Sequence, residues 1–364
     1  MTPMVERVRQ LDETNLAALA KGCAILGAGG GGDTKVGLLW ALNAVREFGA
    51  VPVVDLDELD DDDLIMPCGG IGAPTVGIEK IERGDEVLRI RPYVEELWGK
   101  PVVALLAAEI GGTNGMAPAA WGARAGLPVV DADGMGRAFP EVPQVTMAVA
   151  GISPNPAVMT DERGNIVIFR GIDGHWMERM ERALAVEFGG QSSSSEYQMT
   201  AAQARTATVR GSVSLAVGIG RVLMEAEHDP VTALAEAINA TVLVVGKVVD
   251  VERRTTKGFV RGQVTIDGLG ADAGRTIRLE IQNENLVALE GERVHAMVPD
   301  IITVIDTESG YAIQTERVRY GQRVSVIAFP CDPIWRTPAG LELAGPKAFG
   351  YDLDYVPVED LRGH

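Results

Sequence analysis

The apolar positions change period along the chain, and the change divides it. Leu16, Leu19, Ala20 and Cys23 recur at helical spacing behind Thr14 and Asn15, either of which can cap a helix. A second helical pattern runs over 34–48 through Val36, Leu38, Leu39, Leu42 and Val45. Short apolar runs of the buried-strand type follow at 51–56, 64–67, 102–107 and 128–131, with helical stretches at 92–98 and 116–125 between them. This alternation predicts an α/β domain with a mainly parallel sheet over 1–190. Its last part reads as a hairpin at 158–170 and an amphipathic helix at 176–188.

The polar stretch Gly189-Gly190-Gln191-Ser192-Ser193-Ser194-Ser195 predicts an exposed hinge. Helices at 213–226 and 230–238 then make 191–239 a helical connection. Beyond it come repeated short β runs at 242–251, 258–266, 276–282, 293–298, 301–306 and 323–329, separated by glycines and acidic turns. Residues 240–364 are therefore predicted to form a mostly β domain.

Between the first two predicted helices stands Gly27-Ala28-Gly29-Gly30-Gly31-Gly32-Asp33. Glycine loses more backbone freedom on folding than any other residue, so such a run is costly. It is repaid where the backbone takes positive φ or must approach a ligand closely. The functional reading aims the amides of Gly29, Gly30, Gly31 and Gly32 at a ligand, with Asp33 at the mouth of the next helix; the plain reading is a tight turn. A P-loop would end in Gly-Lys-Ser/Thr, whereas this one ends Gly-Asp-Thr-Lys. A dinucleotide fingerprint would follow a strand, and here a helix precedes. Nucleotide is not the expected cofactor.

Three loops after predicted strands are also rich in glycine and carry carboxylates or amides. They are Cys68 to Thr75 followed by Glu79 and Lys80, Glu109 to Gly115 including Asn114, and Asp131 to Glu141. Ligands bind beyond the carboxyl ends of parallel strands, which makes these loops the place to look. Asp131 and Asp133 alternate along an extended chain and are expected on one face, with Arg137 following. Paired carboxylates raise one another's proton affinity, which suits a general base, and the same pair can hold a divalent metal. The plain alternative makes Asp131 a cap and leaves Asp133 facing water. Glu79, Glu109 and Asn114 are candidate substrate contacts, against readings as a solvated Glu79–Lys80 ion pair and a turn asparagine.

Composition narrows the field. The 364 residues carry a formal net charge of −18, which argues against nucleic acid or an anionic membrane as partner. The first apolar stretch is broken by Glu6, Arg7, Arg9, Asp12 and Glu13, so no signal peptide is read there. Cys23, Cys68 and Cys331 lie far apart, which suits a reducing cytoplasm better than a disulfide framework. With four histidines and no CxxC or HExxH spacing, a dense histidine metal site is not expected.

Several segments together resemble one family. Leu26-Gly-Ala-Gly-Gly-Gly-Gly-Asp33, Gly72-Ala-Pro-Thr-Val76 with Glu79-Lys80, and Val130-Asp-Ala-Asp-Gly-Met-Gly-Arg-Ala-Phe-Pro140 resemble the N-terminal domain of the S-methyl thiohydantoin desulfurase family. Gly246-Lys-Val-Val-Asp-Val251, Arg254-Thr-Thr-Lys-Gly-Phe259, Asn283-Glu-Asn-Leu286, Pro299-Asp-Ile-Ile302 and Gly345-Pro-Lys-Ala-Phe-Gly-Tyr-Asp352 resemble its C-terminal domain. The resemblance implies hydrolytic loss of sulfur from a thiohydantoin ring to give a hydantoin, in catabolism of ergothioneine-like or histidine-like compounds. On that reading Asp131 or Asp133 is the general base, and the Gly29 to Gly32 amides, Asn114 and Arg137 are the donors. The expected partners are a small cyclic ureide or thiohydantoin and further copies of the chain. Two other classes stay open: an accessory partner of a hydantoinase/oxoprolinase-type amidohydrolase, and a different cyclic amide hydrolase.

Overall fold

The protein is described by a computed structural model covering residues 6–72, 76, 80, 83–226, 228–256 and 259–361. Ten strands form the first sheet: β1 (Gln10–Leu11), β2 (Val51–Val54), β3 (Leu64–Gly72), β4 (Val102–Ala107), β5 (Val129–Asp133), β6 (Ala157–Thr160), β7 (Ile166–Phe169), β8 (Gln191–Ser195), β9 (Met199–Thr200) and β10 (Val209–Arg210). The order is β1-β2-β5-β4-β3-β8-β6-β7, with β10 beside β5 and β9 beside β3. Strands β2, β5, β4 and β3 run parallel, and the flanking pairs are antiparallel. This is the α/β unit expected from the alternating pattern.

Period-two alternation explains why the central strands read as continuous apolar runs. Leu64, Met66, Cys68, Val102 and Leu105 pack under the helices Glu86–Trp98 and Ala117–Ala125. Ile65, Ala104, Leu106, Val130 and Ala132 face the opposite side, against the helix Ala201–Ala207 and the C-terminal tail. Both faces are covered, so neither can be polar.

The serine run is no hinge. Ser192 to Ser195 are buried within β8, which pairs with Gly69 to Ile71 of β3 on one side and with β6 on the other. Two ladders satisfy the polar backbone of this strand, which is why a stretch without apolar side chains lies inside the molecule. The segment 191–239 thus opens with two strands before its helices, Ala201–Ala207, Ser212–Glu225 and Pro230–Ala237. The first helix, Glu13–Leu26, is capped by Asp12, whose carboxylate accepts from Asn15 N at 2.9 Å, rather than by Thr14 or Asn15.

The second sheet is antiparallel throughout and contains β11 (Thr241–Thr256), β12 (Phe259–Gly268), β13 (Thr276–Gln282), β14 (Glu284–Glu290), β15 (Arg293–Met297), β16 (Ile301–Asp306) and β17 (Arg323–Phe329). Strand order is β15-β14-β13-β12-β11-β17-β16. The mostly β reading of this half holds. β14 went unseen in the pattern because it starts on Glu284 and Asn285, which face the first unit. The tail returns to that unit: Trp335 stacks edge-on to Phe139 at 4.9 Å, and its Nε1 donates to Met135 O at 2.7 Å. Among the described residues no helix is long and apolar enough to cross a membrane.

Candidate functional site

A cavity of about 500 Å³ lies at the carboxyl ends of β3 and β4. Its walls come from the glycine loop and the helix Thr34–Phe48, from the segments following β4 and β5, from β8, from the helix Gly174–Glu187, and from Asn283 and Glu284. The place is the one that parallel-sheet topology predicts.

The glycine loop forms part of the wall and also joins the two sheets. Gly31, Gly32 and Asp33 line the cavity, whereas Gly29 and Gly30 turn toward the second sheet. Ala28 O accepts from Asn285 N at 2.8 Å and from Asn285 Nδ2 at 2.9 Å, and Gly29 O accepts from Thr315 N at 2.9 Å. A Cβ on Gly30 would stand 2.0 Å from Glu284 Oε1, and one on Gly31 would stand 2.4 Å from Gly111 O. Close approach to a carboxylate and to another backbone is what these positions require. Asp33 caps the helix Thr34–Phe48 through Lys35 N at 3.0 Å, and its second oxygen accepts from Arg317 Nη2.

Asp131 and Asp133 are buried, and neither lines the cavity. Asp131 accepts from Ser214 N at 2.9 Å and Ser214 Oγ at 2.5 Å, holding the start of the helix Ser212–Glu225. Asp133 Oδ2 accepts from Ile110 N, Met135 N and Gly136 N at 2.8–2.9 Å. Burial pushes this carboxyl up to about 6, against the pull of the Gly136 and Met135 amides. The two aspartates thus serve different elements instead of meeting at one site, and Asp133 does not face water. Arg137 lies wholly buried behind the wall, donating from Nη1 to Pro299 O at 2.6 Å and Asp300 O at 2.9 Å. Its Nη2 has no hydrogen-bond partner among the described residues.

Glu109 and Asn114 do line the cavity. Asn114 Nδ2 donates to Glu109 Oε1 at 2.5 Å, and Asn114 Oδ1 accepts from Gly70 N at 2.8 Å. Glu109 Oε2 is left without a partner among the described residues. Burial pushes the Glu109 carboxyl up to about 8; the Asn114 hydrogen bond opposes this and the charge of Asp133 adds to it. Glu284, from β14, sits in the same cavity with Oε2 likewise unpartnered. Its carboxyl is held well above the ordinary range by burial and then by Glu109, against the attraction of Arg137. Two carboxyls placed in this way do not ionise together: once Glu109 loses its proton, its charge strengthens the hold of Glu284 on its own. Glu79 lies outside the described residues.

Sequence reasoning missed Glu284, Glu181 and Glu196, all of which line the cavity. Glu284 opens β14 within Asn283-Glu284-Asn285, where no strand-end glycine loop marks it in the sequence. Glu181 sits in phase with the buried residues Met177, Glu178 and Ala185 of its helix, and an acid on an apolar face is a legible signal. No group of three or more His, Cys, Asp or Glu among the described residues could hold a metal ion. Burial raises the thiols of Cys23, Cys68 and Cys331 far above their ordinary value, so they remain protonated.

Two family models match nearly end to end. Residues 14–171 match "S-Me-THD-like, N-terminal domain" and residues 172–358 match "S-Me-THD-like, C-terminal domain". A crystal structure of a protein from Chromobacterium violaceum shares the fold at a TM-score of 0.81 and 24% identity, covering 96% of this chain and 100% of that one. No curated protein matches the chain.

Proposed function

The chain belongs to the S-Me-THD-like family, and from that premise we propose that it hydrolyses the C–S bond of a thiohydantoin or S-methyl thiohydantoin ring, releasing a hydantoin and a thiol or sulfide. The observation that carries this reading is the pair Glu109 and Glu284, two buried, coupled carboxyls in one cavity, each with a free oxygen. General base and general acid are both needed, and a pair in which Glu284 keeps its proton when Glu109 has ionised supplies both.

For an S-methyl ring the steps balance as follows. Water oxygen bonds to the ring carbon bearing sulfur while its proton passes to Glu109. Glu284, held protonated, donates to the adjacent ring nitrogen. On collapse the C–S bond breaks with its electron pair on sulfur, which takes the proton from Glu109. The new carbonyl forms as its hydroxyl proton returns to Glu284. Asn114 fixes the Glu109 carboxyl, and Arg137 supplies a buried positive charge behind the pair.

The test is incubation of the purified chain with 2-thiohydantoins and S-methyl thiohydantoins, reading thiol or sulfide with a thiol reagent and hydantoin by mass spectrometry. Release that Glu109→Gln abolishes supports the reading. Ring opening without thiol marks a cyclic amide hydrolase instead, and no turnover of either ring type overturns the enzymatic reading.

A further inference from the structure

The cavity holds a second acidic pair that the hydrolysis does not use. Glu181, on the helix Gly174–Glu187, is 0% exposed, lines the cavity, and has neither carboxylate oxygen hydrogen-bonded among the described residues. Glu196, just beyond β8, lines the same region with Oε2 unpartnered. Glu141 contributes a third carboxyl to this wall.

The neighbouring cations are already engaged. Arg182 donates to Glu178 Oε1 and Pro140 O, both at 2.6 Å. Lys80 donates to Phe188 O at 2.7 Å and Gln191 O at 2.9 Å and pairs with Glu162 at 2.8 Å. Three carboxyls of this wall therefore line the cavity while Arg182 and Lys80 are tied into its frame; of the other lining cations, Arg83 pairs with Asp85 at 3.3 Å and Arg124 stands beside Glu47 at 3.8 Å. Leaving a buried carboxyl such as Glu181 unpaired is expensive unless something fills the place.

We infer that Glu181 and Glu196 form a subsite for a protonated nitrogen group, an ammonium or guanidinium carried on the ring substituent of the substrate. The inference rests on the cyclic-ring reading above and extends it to the side chain. A basic substituent brings several N–H donors and a positive charge, which match two coupled carboxyls with free oxygens. Once Glu196 has ionised, the carboxylate of an acidic substituent would meet a like charge here, and an alkyl group would leave the oxygens unpaired.

Proton linkage follows from the surroundings. Burial pushes Glu196 up to about 7, Glu178 adds to this, and the Ser194 hydroxyl opposes it. Glu181 is raised by burial, then by Glu196 and Glu178, against Arg182. Tyr197 stays protonated, raised by burial and by both glutamates, and Glu141 is raised by burial and by Glu178, against His175 and Arg182. A cation binds best once Glu196 has ionised, so affinity for a basic substituent rises through about pH 7.

The experiment measures binding of three hydantoins to the full chain by calorimetry: 5-(4-aminobutyl), 5-butyl and 5-(2-carboxyethyl). Using product rings separates the subsite from turnover. We expect the aminobutyl ring to bind about 10- to 100-fold tighter than the butyl ring, as for hydrogen bonds to charged groups. The preference should grow between pH 6 and pH 8 and vanish in Glu181→Gln or, should that variant misfold, in Glu196→Gln. Equal binding of all three, a preference that survives both substitutions, or no binding at all overturns the subsite. Thiol release from 5-butyl thiohydantoins is read separately, so the hydrolysis can stand when the subsite falls. An aminobutyl preference without thiol release would leave the subsite and remove the hydrolysis.

Discussion

Asn114 holds Glu109 from one side only: its Nδ2 donates to Oε1 at 2.5 Å, while Oε2 stays free in the cavity. The amide is itself locked, because its Oδ1 accepts from Gly70 N at 2.8 Å and its Nδ2 also reaches Gly70 O at 3.2 Å. The end of β3 thereby fixes the amide that aims the carboxyl, both side chains coming from the segment after β4.

That arrangement predicts a large kinetic effect without a structural one. Glu109→Gln keeps the shape and the Asn114 contact but cannot take a proton. Thiol release should fall by about two orders of magnitude or more. The melting temperature should hold or rise, since a buried ionisable group is replaced by a neutral one. Turnover and thermal denaturation on the same sample check both.

The pH profile follows from the same carboxyl. On the proposed role of base Glu109 must be ionised, so kcat/KM should rise as pH increases through about 8 and flatten above it. Stability should move the other way. Its folded pKa lies above its ordinary 4.5, so its contribution is full below that value and is lost as pH climbs to about 8. Asp133 adds a loss between 3.8 and about 6. A pH series of melting temperatures should therefore decline across this window in wild type, and less steeply in Glu109→Gln.

The sequence carried the layer pattern because covered strands must be apolar on both faces, as in β3, β4 and β5. It hid β8, whose serines are buried by pairing on both edges rather than by side-chain character. Glu109, Asn114 and the glycine loop were legible as candidate site residues, and Glu109, Asn114, Gly31 and Gly32 line the cavity. For the aspartates, alternation fixes the face of a side chain but not its partner, and here Ser214 and three backbone amides claim them. Glu284 was out of reach of local reasoning, since only the packing of the second sheet on residues 28–30 brings it to the site.

Asp131→Asn should separate structure from catalysis. The variant weakens the anchor at Ser214, a buried charge-assisted contact, and should cost about 1–3 kcal/mol of stability. Because Asp131 stands outside the cavity lining, the specific activity of the folded fraction should stay within about twofold of wild type. A loss of about a hundredfold at unchanged melting temperature would return Asp131 to the reacting centre.

Adjacent glycines offer the sharpest contrast. In Gly31→Ala the new methyl meets Gly111 O at 2.4 Å and the backbone φ is +74°, so both steric and conformational strain fall on main chain that cannot move aside. This variant should lose stability first, with activity falling only as the folded fraction falls. Gly30 has no such backbone strain, and its methyl would instead meet Glu284 at Oε1, Cδ and Cγ, between 2.0 and 2.8 Å. The side chain can yield where a carbonyl cannot. Gly30→Ala should therefore swing Glu284 away from Glu109 and reduce thiol release by about tenfold or more, beyond any change in melting temperature. With Glu284 displaced, burial and Glu109 hold its carboxyl less far up, so the pH at which the acid loses its proton and kcat/KM falls should come down. Measuring that shift decides the matter: a Gly30→Ala protein that is merely less stable, with the wild-type pH profile, would mean that Glu284 does not act with Glu109.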